Sequence, residues 1–311
     1  MNVTKIIDAF GYAIYVALAF LAVWGVYNAY GQYYRFAAAD AASAEFKPMA
    51  ISLVLAGGLV GGVLGPNVSR FTVDLAGPRF LGAYLSLIGF ALITVVLLRF
   101  IRIPSPSAAE QASSGRPLAE IAAQPKFIVA VLAGAIGYGV MNFLMTSTPI
   151  AMQVCGHPYN AAAFVISSHV IGMFGPSFIT GGLIRRYGAI RVMLAGAFLN
   201  LVTVGIALQG VSVAHFWWAL VLLGVGWNFL YTGGTTLLTE TYRPEERAKA
   251  QGANDQAIFI MMLVSSFTSG ATVTSAGWER VNLYALVLVA IVALTLIWFA
   301  FRQRAGRAAA G

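Results

Sequence analysis

The chain has 311 residues, 59% of them apolar and only 10% charged, with a mean hydropathy of +0.80. Soluble domains carry about 25% charged residues, so this composition belongs to a chain solvated by lipid and excludes an ordinary soluble domain. A single cysteine, Cys155, excludes an internal disulfide and a multi-cysteine metal site. The net charge of +8 reads first as basic loops on one side of a membrane and only then as nucleic-acid binding.

The opening MNVTKIIDAFGYAIY lacks a basic n-region, a short apolar core and a small-residue cleavage site, so no signal peptide is expected. Nine runs of spanning length follow, at roughly 10–38, 47–69, 79–101, 126–153, 160–184, 189–210, 215–239, 252–275 and 280–301. The fold class is therefore all-α, a polytopic membrane bundle of about nine helices. RIPSPSAAEQASSGRPLAEIAAQP, 102–125, reads as a polar linker. It divides a three-helix unit, 1–101, from a six-helix unit, 126–311.

Alternate connections hold 15 of the 19 basic residues: Arg35 and Lys47; Arg99, Arg102, Arg116 and Lys126; Arg185, Arg186 and Arg191; Arg243, Arg247 and Lys249; Arg302, Arg304 and Arg307. That asymmetry places the linker and the C-terminus in the cytoplasm and the N-terminus outside.

In the first run Asn28, Gln32 and Arg35 are spaced i, i+4, i+7 and share one helical face. Polar groups at membrane depth usually face the bundle interior. They either contact a solute or bond helix to helix, the latter contributing about 0.6 kcal/mol each. Arg35 lies near the cytoplasmic end and can also snorkel. In the second run, GGLVGGVLGP (57–66) puts Gly57, Gly61 and Gly65 on one face, which predicts close helix packing, with Pro66 weakening the outer end. In the fourth, Tyr138, Asn142 and Met145 repeat the stripe spacing.

His169 lies about nine residues into the fifth run, roughly 13 Å deep by helical rise. It is either a carrier of a coupling proton or a satisfied hydrogen-bonding residue. Asn228, Tyr231 and Thr232 form the polar set of the seventh run. Asn254 and Asp255 open the eighth, where N-capping accounts for them. No catalytic constellation and no phosphate-binding glycine loop is present, so neither an enzyme nor direct ATP use is expected, and no cofactor is called for.

The stretch NAYGQYYRFAAADAASAEFKPMA (28–50) recurs 200 residues later as NFLYTGGTTLLTETYRPEERAKA. Asn28 falls on Asn228, Asp40 on Glu240 and Lys47 on Arg247. Such internal repeats are a plan of secondary transporters. The runs at 126–153, 160–184 and 189–210 have no counterpart in the first unit, so the expectation is a chain that lacks three preceding helices.

With these features the chain resembles the major facilitator superfamily (MFS), over that family's helices four to twelve. GGLIRRYGAIRV, 181–192, is similar to the superfamily's loop signature at Gly181, Leu183, Arg186, Gly188 and Arg191, and departs from it at Arg185, where an Asp is usual. ETYRPEERAKAQG, 240–252, resembles the loop after helix ten. YYRFAAAD, HPYNAAAFVISSHVIGMFGPSFITG and RPEERAKAQGAND resemble a bacterial subgroup that includes riboflavin importers. GPNVSR, 65–70, and the arginine-free VALAFLAVW, 16–24, depart from the drug–proton exporters.

The resemblance implies a secondary active transporter of a small organic solute in the inner membrane, working by alternating access, with protons as the candidate coupling ion and no nucleic-acid partner. It implies a cavity lined by Asn28, Gln32, Arg35, Tyr138, Asn142, Asn228, Tyr231 and Thr232. It also implies an inner gate of Gly181, Arg185, Arg186, Gly188 and Arg191 locking onto Glu240. Asp40 is the matching acid of the first unit, with its partner expected in the absent loop. The alternative is a non-transporting remnant, or a binding or regulatory subunit on the same scaffold.

Overall fold

The computed structural model describes residues 3–72, 74–75, 77, 81–101 and 114–308. Most of the linker, 102–113, lies outside the described residues. The described elements are α1 (Val3–Ala41), α2 (Lys47–Thr72), α3 (Leu81–Leu98), a short α4 (Leu118–Ala122), α5 (Pro125–Val154), α6 (Tyr159–Phe174), α7 (Ser177–Tyr187), α8 (Ala189–Gln209), α9 (Val213–Leu238) and α10 (Arg247–Ala308). Each predicted run has a helical counterpart. Seven described segments are long and apolar enough to cross a membrane by length and composition, and one of them, Pro244–Ala305, holds the last two runs.

Two breaks have local causes. The run 160–184 is divided into α6 and α7 at Gly175–Pro176, because proline has no N–H to donate and its ring crowds the preceding turn. Within α10 the chain turns at Gly277, whose φ of 80° is open to glycine at little cost. The start of α10 corrects the N-cap assignment of Asn254 and Asp255. A single 3-10 turn, Pro244–Glu246, leads directly into the helix at Arg247. Both residues therefore lie about two turns inside it.

Helix α9 is the axis of the packing. Leu220, Leu223, Trp227, Leu230 and Tyr231 are all almost fully buried, and the helix packs against α5, α6, α8 and, more lightly, α2. Helices α6 and α9 cross at backbone distance. A Cβ on Gly172 would sit 2.7 Å from the Val221 carbonyl oxygen, and one on Gly224 2.7 Å from that of His169. Small residues at such crossings let dispersion attraction replace the hydrophobic drive that lipid does not supply.

Helix α2 ties α1 and α3 to this assembly, and its glycines act in a different register from the predicted one. A Cβ added to Gly57, Gly61 or Gly65 would meet nothing within 4 Å, whereas Gly58 faces the Phe174 ring and Gly62 faces Val170. The paired glycines of GGLVGG offer the same i, i+4 spacing on two adjacent faces, so spacing alone could not choose between them. At the start of α2, Ser52 Oγ donates to the Ser177 carbonyl at 2.5 Å and accepts from the Gly181 N–H at 3.1 Å. Here α7 runs so close that a Cβ on Gly181 would lie 2.6 Å from the Met49 Cα and 2.8 Å from the Pro48 carbonyl oxygen.

This contact predicts a pair of outcomes. Gly181→Ala must push two backbones apart and should lower unfolding stability by about 1–3 kcal/mol. Gly182→Ala meets only the flexible end of Met49 at 3.8 Å and should be neutral or slightly stabilising, as helix propensity favours Ala by about 0.5–1 kcal/mol. Thermal unfolding of the two variants in detergent micelles measures the difference.

Candidate functional site

Arg35 of α1 is 1% exposed, although it is a cation in a chain of membrane composition. A guanidinium stays charged and can be buried only against compensating groups. The structure supplies them from both sides. Nη2 forms an ion pair with Asp255 of α10. Nη1 donates to Gln32 Oε1 at 2.6 Å and to the Gln32 carbonyl at 3.0 Å. The guanidinium carbon lies 4.4 Å from the Phe36 ring centroid and 4.7 Å from that of Tyr231, both cation–π distances. Arg35 therefore turns inward to a partner on another helix and does not snorkel.

Gln32 is the second centre. Its Oε1 also accepts from the Tyr231 hydroxyl of α9 at 2.5 Å, and the Tyr138 hydroxyl of α5 bonds to the same side chain. Around these groups the rings form a box. Tyr138 meets Tyr231 and Trp227 edge-on, each at 5.4 Å; Trp227 stacks on Tyr231 at 5.0 Å; Phe174 meets Trp227 edge-on at 5.7 Å. The Trp227 Nε1–H is buried without a protein acceptor, and so is the Arg35 Nε–H. A cavity of about 690 Å³ adjoins the ion pair, lined by Tyr33, Gln251, Asp255, Gln256 and Phe259 among others.

The other expected cavity residues are placed elsewhere. Asn142 donates to Ser265 Oγ and Ser266 Oγ, both at 2.8 Å, and so bonds α5 to α10. Asn228 faces the α6–α7 break: its amide donates to Ser177 Oγ at 2.6 Å and to the Met173 carbonyl at 2.7 Å, and its oxygen accepts from Thr180 Oγ at 2.7 Å. Thr232 is fully buried with its hydroxyl unpartnered, and Asn28 is half-buried on α1. His169 is fully buried, with Nδ1 2.6 Å from the Leu220 carbonyl oxygen and Nε2 unpartnered. Of the stripe residues, Gln32, Arg35, Tyr138 and Tyr231 thus come together. Trp227, Phe174 and Asp255 were missed. Asp255 left a signal, a carboxylate about two turns inside an apolar helix, which the capping assignment concealed.

At the end of the bundle that carries the linker, the expected gate residues are close but partnered differently. Glu240 pairs with Lys126 at 2.9 Å, not with the arginines of 181–192. Arg185, Arg186 and Arg191 are exposed, and Arg186 lies over the Tyr187 ring at 5.2 Å. Gly188, with φ 86°, turns the chain from α7 into α8. A cavity of about 340 Å³ nevertheless brings Gly188, Arg191, Glu240 and Arg304 to one wall. Asp40, expected to be without its partner, pairs with Arg247 at 3.6 Å, the residue that the 200-residue offset aligns with Lys47.

Residues 114–124 are fastened to the same end. The Glu246 carboxylate, fully buried, accepts from Arg116 Nε at 2.8 Å, from Arg116 Nη2 at 2.7 Å, and from the backbone N–H groups of Arg116 and Arg243 at 2.8 and 2.9 Å. Lys249 Nζ donates to the Ser114 and Arg116 carbonyls, and Gln124 Nε2 to the Thr241 carbonyl at 2.9 Å. The Arg116 guanidinium holds the Glu246 carboxyl well below the ordinary carboxylate range, against the opposing effect of burial. Among the described residues no His, Cys, Asp or Glu cluster could hold a metal ion.

Comparison with known proteins agrees with this architecture. The Major Facilitator Superfamily model matches residues 6–266 and 156–310. The riboflavin transporter RfnT of Brucella anthropi is 43% identical over 278 residues, covering 88% of this chain and 69% of its own length. YddS of Bacillus subtilis, an uncharacterised MFS-type transporter, is 29% identical over 309 residues, covering 93% and 70%. A solved bacterial homologue of the iron transporter ferroportin, in an outward-facing state, superposes with a TM-score of 0.63 at 14% identity, over 85% of this chain and 66% of that one. The chain thus spans about two thirds of the length of these relatives.

The Glu246 clamp yields a prediction with a defined sign. Its folded-state pKa is depressed, so its stabilisation is present above the ordinary value of 4.5 and is lost only as pH falls through the depressed one. Amide hydrogen exchange across 116–124 should therefore stay slow at about pH 5. Glu246→Gln should speed it about tenfold or more by removing the charge-assisted bonds, while exchange in α8 is unchanged.

Proposed function

The chain belongs to the major facilitator superfamily, and from that premise we propose that it moves a planar aromatic solute of the riboflavin kind across the inner membrane by alternating access. The observation that carries the reading is the seam itself, where Gln32 and Arg35 of α1 meet Tyr138, Tyr231 and Asp255 of α5, α9 and α10. The helices on its two sides fall in the two sequence units, 1–101 and 126–311, which rock about a midplane site as rigid bundles.

Tyr138, Trp227, Tyr231 and Phe174 offer ring faces and edges to a planar solute. The unpartnered Trp227 Nε1–H and the Gln32 amide offer directional bonds to its carbonyl and ring-nitrogen groups. A site of this kind rejects solutes that lack acceptors, because its own buried donors would then stay unpaired. The 43% identity to a riboflavin transporter supports that solute class.

With the linker and C-terminus cytoplasmic, as the basic loops indicate, Arg35–Asp255 and Asp40–Arg247 close the cytoplasmic side. Opening that side breaks both pairs. The 181–192 loop is then the element against which Glu240 exchanges Lys126 for Arg191 across their shared cavity.

Purified protein in proteoliposomes should take up riboflavin saturably, and riboflavin should quench the tryptophan fluorescence on binding. Trp227→Ala should reduce uptake about tenfold or more, and Trp227→Phe, which keeps a ring but loses the donor, less than that. Lack of binding would overturn the solute class. Binding without uptake would favour a binding or regulatory subunit over a transporter.

A further inference from the structure

We propose that Gly58 of α2 is a positioning residue of the solute site: by carrying no side chain it seats the Phe174 ring, and so sets where that wall of the aromatic box stands. This rests on the solute reading above and names a residue of the opposite sequence unit that controls the same site.

Phe174 is the last residue of α6, directly before the Gly175–Pro176 break. Its ring meets Trp227 edge-on at 5.7 Å. The same ring lies on α2, where a Cβ built on Gly58 would fall 2.6 Å from Cδ1 and Cε1 and 2.9 Å from Cζ. Carbon atoms in contact prefer a separation of about 3.5–4.0 Å. The ring therefore occupies the space that any side chain at position 58 would need.

The backbones on both sides are held. The Asn228 amide donates to the Met173 carbonyl and to Ser177 Oγ, which pins the chain before and after Phe174. Ser52 ties α2 to α7 through the Ser177 carbonyl and the Gly181 N–H. Ser52 lies less than two turns before Gly58 on the same helix. A methyl added at Gly58 is thus relieved by the ring, which shifts by about 1 Å from its place against Trp227.

A matched position stands one turn further along α2. A Cβ on Gly62 would lie 2.6 Å from Val170 Cγ1, an equally close approach between the same two helices. Val170 is not one of the box residues. Gly58 and Gly62 therefore separate the packing of α2 on α6 from the placement of the ring. Gly58 belongs to the unit 1–101, whereas all four rings belong to 126–311. The wall stands in place only while α2 is docked, so occupancy of the box and the α2–α6 contact favour one another reciprocally.

Riboflavin binding to the full chain in detergent micelles, read by tryptophan quenching, is the test. Absence of binding to the wild type overturns the solute reading, and this inference with it. Given wild-type binding, Gly58→Ala should raise the Kd about tenfold or more. Gly62→Ala should leave it within about twofold. In a Phe174→Ala background, which lacks the ring, adding Gly58→Ala should change the Kd by less than about twofold. An unchanged Kd in Gly58→Ala, an equal loss in Gly62→Ala, or an effect of Gly58→Ala that persists without the ring overturns the assignment and leaves the solute reading standing.

The wild type supplies a measurement that does not depend on the folding of Gly58→Ala. Bound riboflavin should hold the Phe174 ring on its seat and slow amide exchange over 54–62 of α2 about twofold or more. Phe174→Ala should abolish that protection at riboflavin concentrations that saturate it. Exchange over 54–62 that is unaffected by riboflavin bound to the wild type overturns the proposal.

Discussion

A guanidinium buried in a membrane protein constrains everything around it. Arg35 cannot discharge, so the chain must bring a carboxylate, an amide oxygen and ring faces to it. Asp255, Gln32, Phe36 and Tyr231 do so from α1, α9 and α10. This fixes the rotation of α1, because Gln32 and Arg35 must both face α9. It also fixes how far α10 enters, because Asp255 must lie at the depth of Arg35. The aromatic box follows: Tyr231 is held by its hydroxyl on Gln32, Trp227 stacks one turn before it, and Tyr138 and Phe174 close on that stack.

A second chain of constraint runs to the same seam from the linker. Glu246 satisfies Arg116 and caps the turn at Arg243, which sets the start of α10 at Arg247. Arg247 is thereby presented to Asp40, the last charged residue of α1. A residue of the linker thus determines where an ion pair forms between helices from opposite ends of the chain. Residues 114–124 are in this sense part of the structure at that end and not a passive spacer.

The helices were legible because each spanning run must be apolar over its whole length, although not every boundary was. The polar stripe was legible too, since i, i+4, i+7 spacing fixes a face. Partners were not. Asn28 and Asn228 align under the repeat, yet Asn228 is used to bond α9 to Met173, Ser177 and Thr180. An alignment of helix positions carries no information about which neighbour each position meets. The glycines of α2 failed for a related reason, since two registers with equal spacing were present and only the position of Phe174 and Val170 distinguishes them. Asp255 was concealed by assuming that the helix begins where the apolar run begins, at 252; the capping turn sets that start five residues earlier, at Arg247.

Buried polar groups without partners occur inside 126–311 as well, at His169, Asn200 and Thr232 among others, but not at its two best-bonded amides. Asn142 and Asn228, which join helices within 126–311, have their amide hydrogens engaged by close partners. At the seam, by contrast, Arg35 Nε and Trp227 Nε1 remain buried without acceptors. An unpaired buried donor costs about 1–3 kcal/mol, so a surface that carries two of them is stabilised by anything that supplies an acceptor, whether water on opening or a solute on binding. A fully satisfied interface would resist both. The incomplete bonding at Arg35 and Trp227 thus leaves two buried donors that an added acceptor would stabilise, whereas Asn142 and Asn228 offer none.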